Sequence, residues 1–225
     1  MEKGPVGRCA GQSEFEERSR KLVEGGHDVS TFNRGALAGG AAELSPVAQA
    51  SMTNYEKTYR ETANACGDPF PEIVAFFRER NHEPLDVLDL GCGQGRDALM
   101  AARFGHRVTG VDLARSGVEQ MSQQALVEGL QVSGLVADII KFQTSESFDV
   151  VILDRVLHML RTNEDRIEVL TKACGLTRRD GYLLVADVPS NLTLISEFFA
   201  AQSGWSTVYQ QRNFRFALNA CASAA

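Results

Sequence analysis

The chain has 225 residues, 44% of them hydrophobic, enough for one sizeable core and a short appendage. No run reaches the ~18 apolar residues of a membrane span, and the opening stretch MEKGPVGRCAGQSEFEERSR lacks the apolar segment of a secretory signal. A net charge of −6 without a lysine/arginine cluster gives no footprint for a nucleic-acid backbone, so the expected partner is a small molecule, not nucleic acid or membrane.

Residues 1–50 are rich in Gly, Ala, Ser and Glu, and are expected to be a flexible tail or a lid. They hold one weak helical stretch, EFEERSRKLVEG, stopped by Gly25 and Gly26. Residues 51–225 are the expected folded domain. NYEKTYRETANA reads as a helix, and PEIVAFFRER as a second, with Pro71 in its first turn. Beyond residues 81–84, apolar runs alternate with helical stretches. DVLDLG is a predicted strand, RDALMAARFG a helix closed by Gly105, and RVTGVDL a strand. ARSGVEQMSQQALVEG is a helix closed by Gly129, followed by strands VSGLVAD and FDVVILD. TNEDRIEVLTKAC is a helix capped by Thr162 or Asn163, GYLLVADV a strand, and NLTLISEFFAAQSG a helix. STVYQQ and FRFALNA form a closing strand pair that Trp205 anchors. Strands so apolar, alternating with helices, belong to a parallel sheet covered on both faces. The predicted fold is α/β: a single Rossmann-like, doubly wound sheet, mostly parallel, with an antiparallel closing pair and an N-terminal helical or lid segment.

The stretch VLDLGCGQGRD puts three glycines at the carboxyl end of the first strand, where such sheets bind ligands. The dinucleotide pattern GxGxxG does not fit, because its sixth position is Arg96. Charge argues the same way. A pyrophosphate beside Asp89 would meet a like charge near a low-dielectric wall, whereas an ammonium or sulfonium would be attracted. S-adenosylmethionine has that chemistry: no phosphate, a cationic sulfur and an α-amine. The glycines would let backbone approach its amino-acid part, and the helix start would offer N–H groups to its carboxylate.

These residues carry a family likeness. VLDLGCGQGRD resembles the first motif of class I S-adenosylmethionine-dependent methyltransferases, and the likeness continues through VTGVDL, VADII, FDVVILDRVLHML and GYLLVADVP. Within the class, GQGRDALMAARFGHRVTGVDLARSGVEQM is most similar to the small-molecule branch that includes the tellurite-resistance and thiopurine methyltransferases. The resemblance implies a cofactor site built from Asp89, Gly91, Cys92 and Gly93, with Arg96 reaching a carboxylate. It also implies Asp112 and Leu113 at the ribose hydroxyls, Asp138 and Ile139 at the adenine, and Leu153 with Asp154 at the ligand edge of the fourth strand.

Two residues are candidates for the chemistry. His158 follows the fourth strand, and an imidazole of ordinary pKa ~6.5 can serve as a general base. Tyr59 shares a helix face with Tyr55; in related enzymes aromatics ahead of the first strand close over cofactor and substrate. His27, His82 and His106 fall outside any expected site, and Phe70, Phe76 and Phe77 are expected in the core. The five cysteines, Cys9, Cys66, Cys92, Cys174 and Cys221, form no CxxC pair; this fits reduced thiols in a cytoplasmic protein, with no metal. The expected reaction is in-line methyl transfer to a small acceptor, a sulfur, selenium or tellurium nucleophile or another compact metabolite. The rival readings are a non-catalytic S-adenosylmethionine-binding module and a nicotinamide-dependent oxidoreductase. The oligomeric state is left open.

Overall fold

The computed structural model describes residues 46–220. The expected tail or lid up to residue 45, with the helical stretch EFEERSRKLVEG, lies outside the described residues.

Seven strands form one sheet: β1 (Asp86–Leu90), β2 (Arg107–Asp112), β3 (Val132–Val136), β4 (Phe148–Asp154), β5 (Thr177–Ala186), β6 (Trp205–Gln211) and β7 (Phe214–Asn219). Their spatial order is β3-β2-β1-β4-β5-β7-β6. The first five are parallel, and β7 runs antiparallel to both β5 and β6. The chain winds outward from β1 to β3, then returns to the other side of β1 as β4. That reversal makes the crevice beyond the carboxyl ends of β1 and β4 the expected ligand site of such a sheet.

The strand residues divide between two cores by the two-residue period of the pleat. Val87, Val150, Ile152 and Leu184 face one side, against α2 (Pro71–Arg78), α3 (Arg96–Arg103) and α4 (Arg115–Glu128). Leu88, Val151, Leu153, Leu183 and Val185 face the other, against α5 (Asn163–Leu176) and α6 (Leu192–Ala201). Both faces are covered, which is why the central strands read as unbroken apolar runs. Phe76 and Phe77 of α2 are core residues. Phe70 instead lies edge-on to Phe214 and beneath the guanidinium groups of Arg96 and Arg155. Trp205 opens β6 with its ring 5.9 Å from that of Phe199.

The helix ends follow from local chemistry. Thr162 caps α5 in a reciprocal capping box with Asp165. Gly129 closes α4 in the left-handed conformation. The start of α4 has no side-chain cap of its own. Glu56 supplies one from α1 (Pro46–Glu61): its carboxylate accepts the Ser116 N–H at 3.2 Å, placing negative charge at the positive end of the helix.

Three boundaries differ from the sequence reading. The first helix starts at Pro46, not Asn54, so the boundary drawn at residue 50 cuts through it. Strand β5 starts at Thr177, ahead of a register break that carries Asp180 at φ 61°. A short 3-10 turn, Pro189–Asn191, precedes α6.

Candidate active site

The loop after β1 is held from both sides. Gly91 and Cys92 donate their N–H groups to the Val111 carbonyl, and Gly93 donates to Asp112 Oδ2 at 2.8 Å. Asp112 Oδ1 takes the Ala114 N–H at 2.7 Å. The loop needs glycine for two separate reasons. Gly95 has φ 82°, and a side chain there would also enter the space of Met121. Gly117 has ordinary helical backbone, but a Cβ on it would lie 2.8 Å from the Gly93 carbonyl oxygen and 2.9 Å from the Tyr59 ring.

Over this loop, at the switch point, opens a cavity of about 390 Å³. Gly91, Cys92, Arg96, Asp112, Leu113, Asp138 and Ile139 line it, and so do Tyr59 and His158. Asp89, Gly93 and Leu153 do not: they are buried beneath the loop and within the sheet. The correction matters most for Asp89, whose carboxylate was expected to face the ligand. It is 3% exposed, its Oδ2 has no partner, and burial, reinforced by Asp97, pushes its carboxyl well above the usual range. The acids that face the cavity are Asp97, Asp112, Asp138 and Asp154.

Asp97 and Asp154 share one guanidinium. Arg96 pairs with Asp97 at 2.8 Å and, closely, with Asp154. A third donation goes to the Cys66 carbonyl at 3.3 Å, so the expected reach of Arg96 toward a ligand carboxylate is not the arrangement present. One oxygen on each acid, Asp97 Oδ1 and Asp154 Oδ1, is buried without a hydrogen-bond partner. Arg155 Nε lies 3.9 Å from the latter, beyond hydrogen-bond range. Burial raises the Asp97 carboxyl against the pull of Arg96, and raises Asp112 against three backbone N–H groups. Asp138 turns back on its own chain, its Oδ1 accepting the Ile140 N–H at 2.9 Å. The Cys92 thiol is pushed well up by burial and then by Asp89, which makes it a poor nucleophile.

The outer wall comes from α1 and the turn after it. Tyr59 is buried, its hydroxyl 3.8 Å from the Cys66 sulfur, and its ring centroid lies 5.7 Å from that of Tyr55. Burial, then Cys66 and Asp112, raise the Tyr59 phenol far above its ordinary value. Tyr55 points its hydroxyl at Met159 Sδ, 3.4 Å away. Gln94 ties this wall to the glycine loop. Its amide nitrogen donates to the Thr62 carbonyl at 2.9 Å and to Gln120 Oε1, while its oxygen takes the Ala65 N–H at 2.8 Å. Gln120 in turn donates to the Tyr59 carbonyl at 2.7 Å.

His158 sits in a 3-10 turn, Leu157–Met159, just past β4. Its Nδ1 faces Asp187 Oδ2 at 3.5 Å, and its backbone N–H points at the same oxygen at 3.3 Å. Sequence reading did not single out Asp187, which lies 29 residues away at the end of β5. It also passed over Gln94, Gln120 and the cavity-facing side of Asp97. The one sequence signal for Asp187 was its place at the carboxyl end of a strand, the edge where ligands bind.

A parallel sheet in this order, with a glycine loop at its reversal and an acid ending the next strand, defines a class of α/β ligand-binding enzymes. The chain belongs to the methyltransferase-domain family, whose model matches residues 81–220. Among curated relatives, it is 29% identical over 104 residues to the ubiquinone biosynthesis O-methyltransferase of Rickettsia felis, covering 46% of this chain and 41% of that one. It is 32% identical over 89 residues to the probable S-adenosyl-L-methionine-dependent methyltransferase TehB of Haemophilus influenzae, covering 40% and 30%. The matched segments thus span less than half of either relative. The N-methyltransferase NodS of Bradyrhizobium japonicum, solved with S-adenosyl-L-homocysteine, shares the fold with TM-score 0.62 at 16% identity, over 75% of this chain and 98% of that one. Among the described residues, no helix is long and apolar enough to cross a membrane.

Proposed function

We propose that the protein transfers a methyl group from S-adenosylmethionine to a small-molecule acceptor. The observation that carries this reading is the pair of buried, unpartnered acid oxygens, Asp97 Oδ1 and Asp154 Oδ1, on the wall of a glycine-floored cavity. Two carboxylates with one close guanidinium make a niche suited to a cationic ligand and poorly suited to a phosphate. The residues fit the cofactor in other respects. Asp112 at the end of β2 has lone pairs left for two hydroxyls, and Leu113, Asp138 and Ile139 form a half-apolar slot for a flat ring. The relatives' names support the same reading, since TehB is described as S-adenosyl-L-methionine-dependent and NodS was solved with the demethylated product.

When bound, the cofactor supplies a methyl group already activated by its sulfonium. The chain's own residues then have to orient the acceptor and exclude water. Tyr59 and Tyr55 close the outer wall. With its phenol raised so far, Tyr59 acts as wall and hydrogen-bond donor and does not take a proton at neutral pH. His158 is the cavity's group for moving a proton, at a ring nitrogen. The acidic overall charge supports a small-molecule partner in preference to nucleic acid, and the odd cysteine count supports a cytoplasmic protein with reduced thiols.

Calorimetric titration with S-adenosylmethionine, S-adenosylhomocysteine and NADH tests the reading. Micromolar binding of the first two and none of NADH is expected. Binding of NADH alone would overturn it.

A further inference from the structure

The Asp187 carboxylate is fully buried. Its Oδ1 accepts the Val188 N–H and the Asn191 side-chain amide, each at 2.8 Å. Those two donors fix the plane of the carboxylate and leave Oδ2 aimed at His158. Among the described residues, the imidazole is the one ionisable side chain paired with it. A buried carboxylate with no full cation beside it is costly. Here the Val188 N–H, the Asn191 amide and the His158 N–H satisfy its oxygens. The turn carrying His158 is itself fixed, because Arg166 of α5 donates to the Leu157 carbonyl at 3.0 Å and to the Leu160 carbonyl at 2.7 Å. With Nδ1 turned to Asp187, the other ring nitrogen, Nε2, has no hydrogen bond among the described residues, and His158 lines the cavity.

We propose that Asp187 is a positioning residue that fixes His158 as the general base, and that the acceptor is therefore a hydroxyl compound. This rests on the methyl-transfer reading above. A carboxylate facing Nδ1 holds the proton there, so that Nε2 presents its lone pair, and it stabilises the imidazolium that forms during the reaction. A selenol is largely ionised near neutral pH, and a thiol, partly ionised there and intrinsically nucleophilic, needs such an arrangement far less. A hydroxyl does need it. Met159 and Leu160, which follow His158 in the chain, line the cavity with apolar side chains, a surround that suits an uncharged O–H acceptor. In the step, the acceptor O–H breaks and its proton passes to Nε2. The oxygen keeps the electron pair and bonds the methyl carbon, the pair of the methyl–sulfur bond stays on sulfur, and the imidazolium then releases its proton to water.

The test uses the full chain labelled with ¹⁵N-histidine and saturated with S-adenosylhomocysteine, with His158→Gln to identify the His158 signals. The expected result is the tautomer protonated at Nδ1, with loss of that preference in Asp187→Asn. An Nε2-protonated ring in the unsubstituted protein, or an identical tautomer in both, would overturn the proposal whether or not the variant is stable. Loss of S-adenosylhomocysteine binding by the unsubstituted protein would instead overturn the methyl-transfer reading. In turnover with catechol, phenol and 2-mercaptoethanol as probes, Asp187→Asn is expected to lower kcat for a hydroxyl probe about a hundredfold, with KM within about threefold. Adding His158→Gln to it should cost little more. Methylation of the thiol alone, unaffected by Asp187→Asn, would count against both the base and the hydroxyl acceptor.

Discussion

Asp112 Oδ2 accepts the Gly93 N–H at 2.8 Å, so the acid expected at the ribose also fastens the loop expected at the amino-acid end of the same ligand. On the proposed reading, one carboxylate serves both halves of the site. Asp112→Ala is therefore expected to weaken S-adenosylhomocysteine binding by more than the roughly 1.5–3 kcal/mol of a charged hydrogen-bonding group. Calorimetry measures it, and a loss of less than about tenfold with the fold intact would remove Asp112 from the ligand contacts.

Gly117→Ala separates helix propensity from packing. Alanine gains about 1 kcal/mol in a helix over glycine. Against this, its Cβ would press on the Gly93 carbonyl, which is backbone and has no rotamer to escape into. Overpacking costs about 1–3 kcal/mol. The expected result is a net destabilisation of about 1 kcal/mol in urea together with weaker S-adenosylhomocysteine binding. A gain in stability would show that the loop yields more easily than this contact implies.

Removing Arg96 strands two buried acids. Arg96→Ala is expected to cost about 3–5 kcal/mol, measured by urea unfolding, because Asp97 and Asp154 lose their shared partner. Arg96→Lys should restore only part, since a point ammonium cannot reach both carboxylates and the Cys66 carbonyl together. Full recovery with lysine would refute the bridging role.

Cofactor affinity should depend on pH through Asp97. Its carboxyl titrates above the ordinary 3.8 in the free protein, chiefly through burial, and a cation in the niche would draw it back down. Binding thus favours the ionised acid. Affinity is expected to fall as pH drops below the raised value and to level off above it, with proton release visible as a buffer-dependent heat. Asp97→Asn should flatten the profile.

His106 gives a stability test outside the cavity. It is fully buried, its Nδ1 accepts the Leu85 N–H at 3.2 Å, and burial holds its pKa below the ordinary 6.5. The folded ring stays neutral while the unfolded ring takes a proton. Stability is therefore fully present above about 6.5 and is lost as pH falls from there through the folded value. Urea midpoints at pH 7.5 and 5.5 should differ less in His106→Gln than in the unsubstituted protein.

The parts of this molecule legible in the sequence are those that local chemistry decides. Apart from Asp89 and Asp154, the buried positions of DVLDL and FDVVILD are apolar, and Thr162 announces its helix through the Asp three residues on. Pro46, a proline in a first turn, opens α1 directly after a small-residue tract, which hides the boundary. The charges were harder to place. Asp89 precedes the glycines in sequence, yet alternation along β1 turns it under the loop, and the acids facing the cavity arrive from α3, from the ends of β2 and β4, and from the turn after β3. Arg96 looked available because its two partners lie one residue away and 58 residues away, and sequence periodicity reports neither pairing. Asp187 and His158 meet because β4 and β5 are neighbours in the sheet, a fact of topology more than of either segment.

The amide of Gln94 reaches three sites on the chain segment of residues 59–65, directly or through Gln120. The tyrosine wall is thereby spliced into the same loop that floors the cavity. An attempt to change acceptor choice by grafting the α1 segment of another enzyme would sever those bonds. Such a chimera needs Gln94 and Gln120 matched to the incoming backbone, so the portable unit runs from α1 into α4.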